Sequence, residues 1–375
     1  MDPRDVAHRH KVRASAALEI GRYAVAEREA RKALSLHPTD LEGNLYLARS
    51  LMGLGRYDDA IAAAHQAVAA GPRDAYSHYI LGFAHQAGGA HATAVDPLRE
   101  AVKLAPKIGR YHARLALALA ETGEIAPALG HIEIALALDN ENALIFSEAA
   151  KVYVKAADLA AAEALARRAV GLSPAQAYMH SLLAWILGLA KKWDASAEAA
   201  RHALRLEPND WSAWADLGAA TFGLGQRDEA ERAYREALRL RPGLPSAALS
   251  LASLLWHRGR FVEAENVCAA ALRIDPKNPR VRQMQDSVRE MRRERAVSRG
   301  IARAFGSVLL LALLAGIAQV HDPYARMVLI ACAAVLGVGI YAMRTPDGEI
   351  ESEPTRSNSD SAQHHDDSDE NDRAP

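Results

Sequence analysis

Histidine, cysteine and carboxylate side chains can ligate metals or move protons near neutral pH, so their placement decides whether this chain can do chemistry. His364 and His365 stand beside Asp366 and Asp367. Those donors can take a metal ion weakly, but no rigid scaffold fixes their geometry. His78 and His85 share a helix face by spacing, yet no carboxylate or cysteine joins them at ligand spacing. The chain has no G-x-x-x-x-G-K-S/T phosphate loop, no G-x-S-x-G elbow, no H-E-x-x-H and no C-x-x-C pair. Cys268 and Cys332 are the only cysteines, both in apolar surroundings, so a disulfide is not expected. The expectation is a protein without an active site, cofactor or metal centre.

What the chain does have is periodicity. Pro38, Pro72, Pro106, Asn140, Pro174, Pro208, Pro242 and Pro276 recur every 34 residues without insertion or deletion, and Gly21, Gly55, Gly89, Gly123, Gly225 and Gly259 lie seventeen residues ahead of the matching positions. Glycine turns a hairpin and proline ends it. Within each period a first run is apolar at helical spacing, as at Leu183, Leu187 and Ala190, and a second carries alanines, as at Ala26, Ala30 and Ala33. Those spacings put small residues on one helix face. A lone hairpin cannot bury such faces, so neighbouring units must stack. Departures are local: Asn140 for proline, Lys191 for the turn glycine, and Arg13 in a column that holds Leu47, Leu81, Leu115, Leu183, Leu217 and Leu251. The first unit is therefore read as a distorted cap, and Pro97, inside a second helix, as a kink or a lost backbone hydrogen bond.

The unit that contains Trp214, Leu217 and Gly218, then Gly225, Ala230, Tyr234, Ala237 and Pro242, carries the pattern W-x-x-L-G, A-x-x-x-Y and a closing proline. At a 34-residue period this resembles the tetratricopeptide repeat family. Eight units fit, beginning at Ala7, Leu41, Ala75, Gly109, Ala143, Ala177, Trp211 and Pro245. The resemblance implies an all-α, right-handed superhelical solenoid of eight repeats over residues 1–278. It also implies a concave groove lined by the first helix of each unit, which places Tyr46, Tyr76, Tyr79, Phe83, Arg110, Arg114, Lys151, Tyr178, Trp185, Phe222 and Trp256 on or near a partner-binding surface. Asp216, Glu121, Glu148 and Lys155 sit among them. The alternative is that several of the aromatics pack between repeats. Some members clamp a terminal carboxylate with lysine, asparagine and arginine. Lys11 fits the first place, but Ser15 and Tyr46 stand where asparagines are needed, so that mode is not expected.

After the repeats the chain changes character. Asn278 and Pro279 read as a helix start, and Val281, Met284, Val288 and Met291 form a narrow apolar stripe that should cap the last repeat over residues 279–300. Its outer side carries Arg289, Arg292, Arg293, Arg295, Arg299 and Arg303, which lead into a hydrophobic segment and predict contact with anionic lipid. Residues 304–320 and 327–343 contain no charge, with only His321 to Arg326 between them. They predict a transmembrane helical hairpin within 301–344, with Gly306, Gly316, Gly337 and Gly339 letting the helices approach; a buried or interfacial hairpin is the alternative. Residues 345–375 hold ten acidic residues and two arginines and are expected to be disordered.

The first ten residues are polar, so no signal peptide is expected there. Arginine outnumbers lysine 36 to 9, which suggests a high-GC bacterial gene. The arginines before the first span predict, by the positive-inside rule, repeats and tail on the cytoplasmic side of the inner membrane. A net charge of −1 gives no bias toward nucleic acid, and none is expected as a partner. The reading is a non-enzymatic scaffold that binds protein or peptide segments in its groove and holds them at the membrane. The alternative is an accessory subunit of a membrane enzyme, envelope-assembly or secretion complex, docked through the hairpin.

Overall fold

The computed structural model describes residues 2–319 and 321–342, and among them are eighteen helices and no strand. Residues 345–375 lie outside the described residues, as do Val320 and Met343 at the ends of the two predicted spans. Hairpins follow at the 34-residue period: α1 (Pro3–Glu19) with α2 (Tyr23–Leu36), α3 (Leu41–Gly53) with α4 (Tyr57–Ala70), α5 (Ala75–Ala87) with α6 (His91–Leu104), and α7 (Gly109–Glu121) with α8 (Ile125–Leu138). Then come α9 (Ala143–Lys155) with α10 (Leu159–Leu172), α11 (Ala177–Leu189) with α12 (Trp193–Leu206), α13 (Trp211–Gly223) with α14 (Arg227–Leu240), and α15 (Pro245–His257) with α16 (Phe261–Ile274). The last described helices are α17 (Pro279–Gln319) and α18 (Pro323–Ala342). It divides into two compact units, residues 1–251 with 273–276, and residues 252–272 with those from 277 onward.

In the first unit the closing proline has two tasks. It occupies the second position of a turn, as in the bonds from Asp74 N to the Gly71 carbonyl (3.0 Å) and from Asp210 N to the Glu207 carbonyl (3.1 Å), where its fixed φ is suited and its missing N–H costs nothing. Its own carbonyl then accepts a side-chain donor from the next first helix: Asn44 on Pro38 (3.3 Å), His78 on Pro72 (3.0 Å), His112 on Pro106 (3.0 Å), His180 on Pro174 (2.9 Å) and the Trp214 indole on Pro208 (2.9 Å). Where Asn140 replaces proline, Phe146 replaces the donor, and Asn142 instead donates to the Asp139 carboxylate at 3.0 Å. The Asn140 carbonyl remains, and only the side-chain donor is lost.

Turn geometry is as regular. Gly55 and Gly225 have φ of 73° and 75°, and the same column forces Ala157 and Lys191 to 61° and 56°. The proline in α6 does not end that helix, which runs unbroken through Pro97. Side-chain size is matched across each hairpin. Gly82 faces Leu98 and Gly218 faces Tyr234, at distances where an added Cβ would meet the partner at 2.4 and 2.7 Å, whereas Ala150 and Ala184 stand at the matching positions opposite Ala166 and Ala200, all four fully buried. In the third and seventh hairpins a large residue on the second helix thus meets glycine on the first, while the fourth fits Ile132 opposite Ala116.

Each first helix from α1 to α11 also packs against the first helix of the next unit, up to α13, whereas successive second helices make no comparable contacts. The stack is therefore tighter along its first helices and curves around them, which makes that side concave. Side-chain caps from Asp2, Asp40, Asp74, Asn142 and Asp210 start five of these first helices.

In the second unit Val281 and Val288 are buried, and Glu265 on α16 receives Arg289 at 2.7 Å and Arg292 at 2.9 Å from α17. The capping helix and the first apolar segment, expected as separate elements, form one helix of 41 residues, because at their junction, residues 297–304, only Gly300 is a poor helix former. α17 turns back into α18. Gly306 is the close approach, since a Cβ there would lie 3.0 Å from Ile340, while Gly316, Gly337 and Gly339 meet no neighbour. Phe305, Val308, Leu311, Val335 and Val338 are 66–74% exposed, an apolar surface of a kind soluble proteins avoid. Both helices are long and apolar enough to cross a membrane.

Candidate functional site

The first helices of the first unit carry ten of the eleven residues expected on the groove; Trp256 belongs to the second unit, where it lines a cavity with Phe261, Met291 and Arg295. The ten differ in burial. Tyr46 packs half-buried against Ala17, Leu18 and Ala26, and Tyr76 and Tyr79 pack against the core of the second and third hairpins. Tyr79 also touches the core of the fourth and packs on Tyr111 with ring centroids 4.9 Å apart and the rings tilted by 30°. These aromatics are part of the stacking. Further along, Tyr178 (43%), Trp185 (36%), Phe222 (46%) and Leu144 (56%) remain exposed on the first helices.

Cations are laid over the rings. The Arg110 guanidinium lies 5.5 Å from the Tyr76 ring centroid and 5.4 Å from that of Tyr111, Arg114 lies 4.2 Å above Phe83, and the Lys151 ammonium is 5.1 Å from Tyr178. Such contacts hold the charged groups in fixed positions along the groove. Arg114 also bonds Glu148 at 2.6 Å, and Lys155 bonds Glu121 at 2.6 Å. Burial pushes the Glu148 carboxyl up against the pull of Arg114 and Lys151, while Arg114 is held firmly charged by Glu148 despite its own desolvation. Among the described residues neither Arg110 nor Lys151 has a carboxylate within ion-pair distance. The groove from the third to the sixth hairpin is therefore aromatic and cationic. Asp216, on the seventh, is the opposite case: a carboxyl raised to about 8 by burial and by the nearby Asp210.

The arginines of α17 divide in the same way. Arg289 and Arg292 are committed to Glu265, and Arg295 lies 5.1 Å over Phe261, so these three fix α17 on α16. Arg293 is exposed, and Arg299 and Arg303 are half-buried. Among the described residues no three histidine, cysteine or carboxylate groups are placed to hold a metal ion.

The family model for the tetratricopeptide repeat matches residues 45–108, 182–245 and 216–279. None of the curated proteins matches the chain in sequence. Among solved structures, the Cut9-Hcn1 hetero-tetramer of the APC/C is similar at a TM-score of 0.58 and 17% identity over 73% of this chain, and the chain spans 54% of that relative's length. The human IFIT1 dimer with PPP-AAAA is similar at a TM-score of 0.58 and 18% identity, over 88% of this chain and 82% of the other. At these identities the shared property is the fold. The repeats and these neighbours support a protein-interaction scaffold, of a fold that is typically non-enzymatic. With the 34-residue hairpin, its concave first-helix face and the family match in agreement, this chain is a tetratricopeptide repeat protein.

Proposed function

We propose that the chain is an adaptor, which binds a segment of another protein along the first-helix face of its first unit and keeps it at a membrane through the α17–α18 hairpin. The observation that supports it best is the run of Leu144, Tyr178, Trp185 and Phe222, apolar side chains left 36–56% exposed on successive first helices beside Lys151 and Arg110, neither of which has a carboxylate within ion-pair distance among the described residues. Aromatics beside fixed charges are the usual composition of binding hot spots. The uncovered apolar faces of α17 and α18 support the membrane anchor, and the arginines before the first apolar segment support a cytoplasmic solenoid and tail.

The test is affinity purification of the full chain from detergent-solubilised membranes beside a Tyr178→Ala/Trp185→Ala/Phe222→Ala variant and a chain ending at Arg299. Partners held by the groove should be lost with the triple variant and kept by the truncated chain. Equal capture by wild type and triple variant overturns the groove reading. For the topology, a cysteine placed at Ser359 should resist an impermeant external reagent in intact cells, and labelling there rejects it.

A further inference from the structure

Six side-chain polar atoms among the described residues are buried without a hydrogen-bond partner, and three of them, Gln86 Oε1, His91 Nδ1 and Arg114 Nε, belong to residues lining one cavity of about 340 Å³ on the concave face. Leaving a buried polar atom unpaired costs free energy, so their concentration in one place marks groups set to meet something. The orientation of Gln86 is fixed. Its amide nitrogen donates to the Arg114 carbonyl at 3.2 Å, a group that can only accept, so its oxygen is the end left over. Gln86 is itself 8% exposed, a polar side chain built into the cavity wall.

The rest of the lining completes the specification. Phe83, Leu117, Lys151 and Trp185 occupy one repeat column on successive first helices, and Lys155 lies one turn beyond Lys151. Lys155 is already paired with Glu121 and Arg114 with Glu148, which leaves Lys151, held over Tyr178, as the cation without a carboxylate. Resting on the adaptor reading above, we infer that this cavity receives an internal acidic segment of a partner protein: one aspartate or glutamate side chain is read by Lys151, its main-chain N–H bonds Gln86 Oε1, and a main-chain carbonyl bonds Arg114 Nε. Phe83 and Trp185 flank the segment with aromatic area. A volume near 340 Å³ suits one side chain with its backbone, and a small rotation of Gln86 and Arg114 presents both atoms to it.

The experiment is selection from a displayed library of random dodecapeptides, with amidated C-termini in the synthetic follow-up, on the full chain in detergent micelles. Wild type should enrich peptides carrying an internal aspartate or glutamate, and selection on Lys151→Met should lose that enrichment. A peptide so selected should bind about tenfold more weakly to Lys151→Met, and Gln86→Leu should weaken the acidic peptide and its Glu→Gln counterpart by the same factor, because a main-chain contact is blind to the side chain. Gln86→Leu also controls for folding, since its melting temperature is read beside that of Lys151→Met. Enriched peptides without acidic bias, acidic bias that survives Lys151→Met, or binding that needs a free C-terminal carboxylate overturns the inference and leaves the adaptor reading standing. No enrichment at all overturns both.

Discussion

Arg114 and Glu148 are one repeat apart, in the same column of adjacent first helices, and their charged groups meet at 2.6 Å with 19% and 10% of their side chains exposed. The pair ties the fourth hairpin to the fifth at the floor of the groove. Removing either partner leaves the other charge partly buried and unmatched, which costs more than the pair itself is worth. Arg114→Met and Glu148→Leu should each destabilise the protein by about 2 kcal/mol, and the double variant should be no worse than either single one. Additive losses in chemical denaturation would show that the pair is not coupled.

Gly218 and Tyr234 make a second pair that only the three-dimensional register reveals. An added Cβ on Gly218 would lie 2.7 Å from the buried Tyr234 ring, so Gly218→Leu should overpack the hairpin by roughly 1–3 kcal/mol, and Gly218→Ala should already be destabilising. Tyr234→Ala alone opens a cavity costing about 3 kcal/mol. The Gly218→Ala/Tyr234→Ala double variant recreates the Ala150–Ala166 and Ala184–Ala200 arrangement, so it should be more stable than the sum predicts by at least about 1 kcal/mol. Thermal unfolding of the four proteins measures the coupling.

Periodicity made the hairpins visible before any coordinates, because proline and glycine act through backbone geometry that each residue carries in its own type. Which side chains share a column could also be read, but not what they touch. The bond from His78, His112 or His180 to the preceding proline carbonyl needs the turn to be folded back on the helix, and nothing in a lone histidine announces that. Ala157 in the left-handed region went unread because alanine has no preference for it. The division of the groove aromatics was left open for the same reason: Tyr76 and Tyr178 share a column, and only the neighbours of Tyr76, among them Tyr79 and Arg110, leave it half-buried where Tyr178 is exposed. The continuity of α17 was hidden by a change in composition that is not a change in backbone.

Asp216 stands in the column of Arg114 and Glu148, but Leu182 precedes it where a cation would be needed. Its carboxyl, raised from the usual 3.8 to about 8 by burial and Asp210, binds a proton in the folded protein that it gives up when unfolded. That stabilisation is complete below about pH 4 and is lost as pH rises through 8. Asp216→Asn should therefore match wild type near pH 4 and exceed it by on the order of 2 kcal/mol at pH 9. A difference between the two proteins that does not change with pH would reject the shift. Asp210 and Tyr234 are the titratable groups that act on Asp216, so Asp210→Asn should move the same transition to lower pH.

Lys191 holds φ of 56° where the repeat otherwise uses glycine, and its side chain is exposed and makes no bond. A non-glycine residue there carries a strain of about 1 kcal/mol, partly offset by the greater unfolded entropy of glycine. Lys191→Gly should raise stability by about 0.5–1 kcal/mol, and Gly225→Ala should lower it by a similar amount. Differential scanning calorimetry on the two variants checks the column in both directions.

Tyr79 and Trp185 should separate folding from binding. Tyr79 makes tilted ring contacts with Tyr111 and Phe83, packs against two hydrophobic clusters and bridges hairpins, so Tyr79→Ala should cost about 2–3 kcal/mol of stability before any effect on a ligand is seen. Trp185 is 36% exposed at the edge of the cavity that contains Gln86 and Lys151, so Trp185→Ala should leave the melting temperature within about a degree of wild type. Its loss should appear in partner affinity instead, at about 2 kcal/mol. Measuring unfolding and partner binding on both variants gives a crossed pattern if burial has been assigned correctly. A Trp185→Ala protein that melts early and binds normally would place the tryptophan in the core and remove it from the groove.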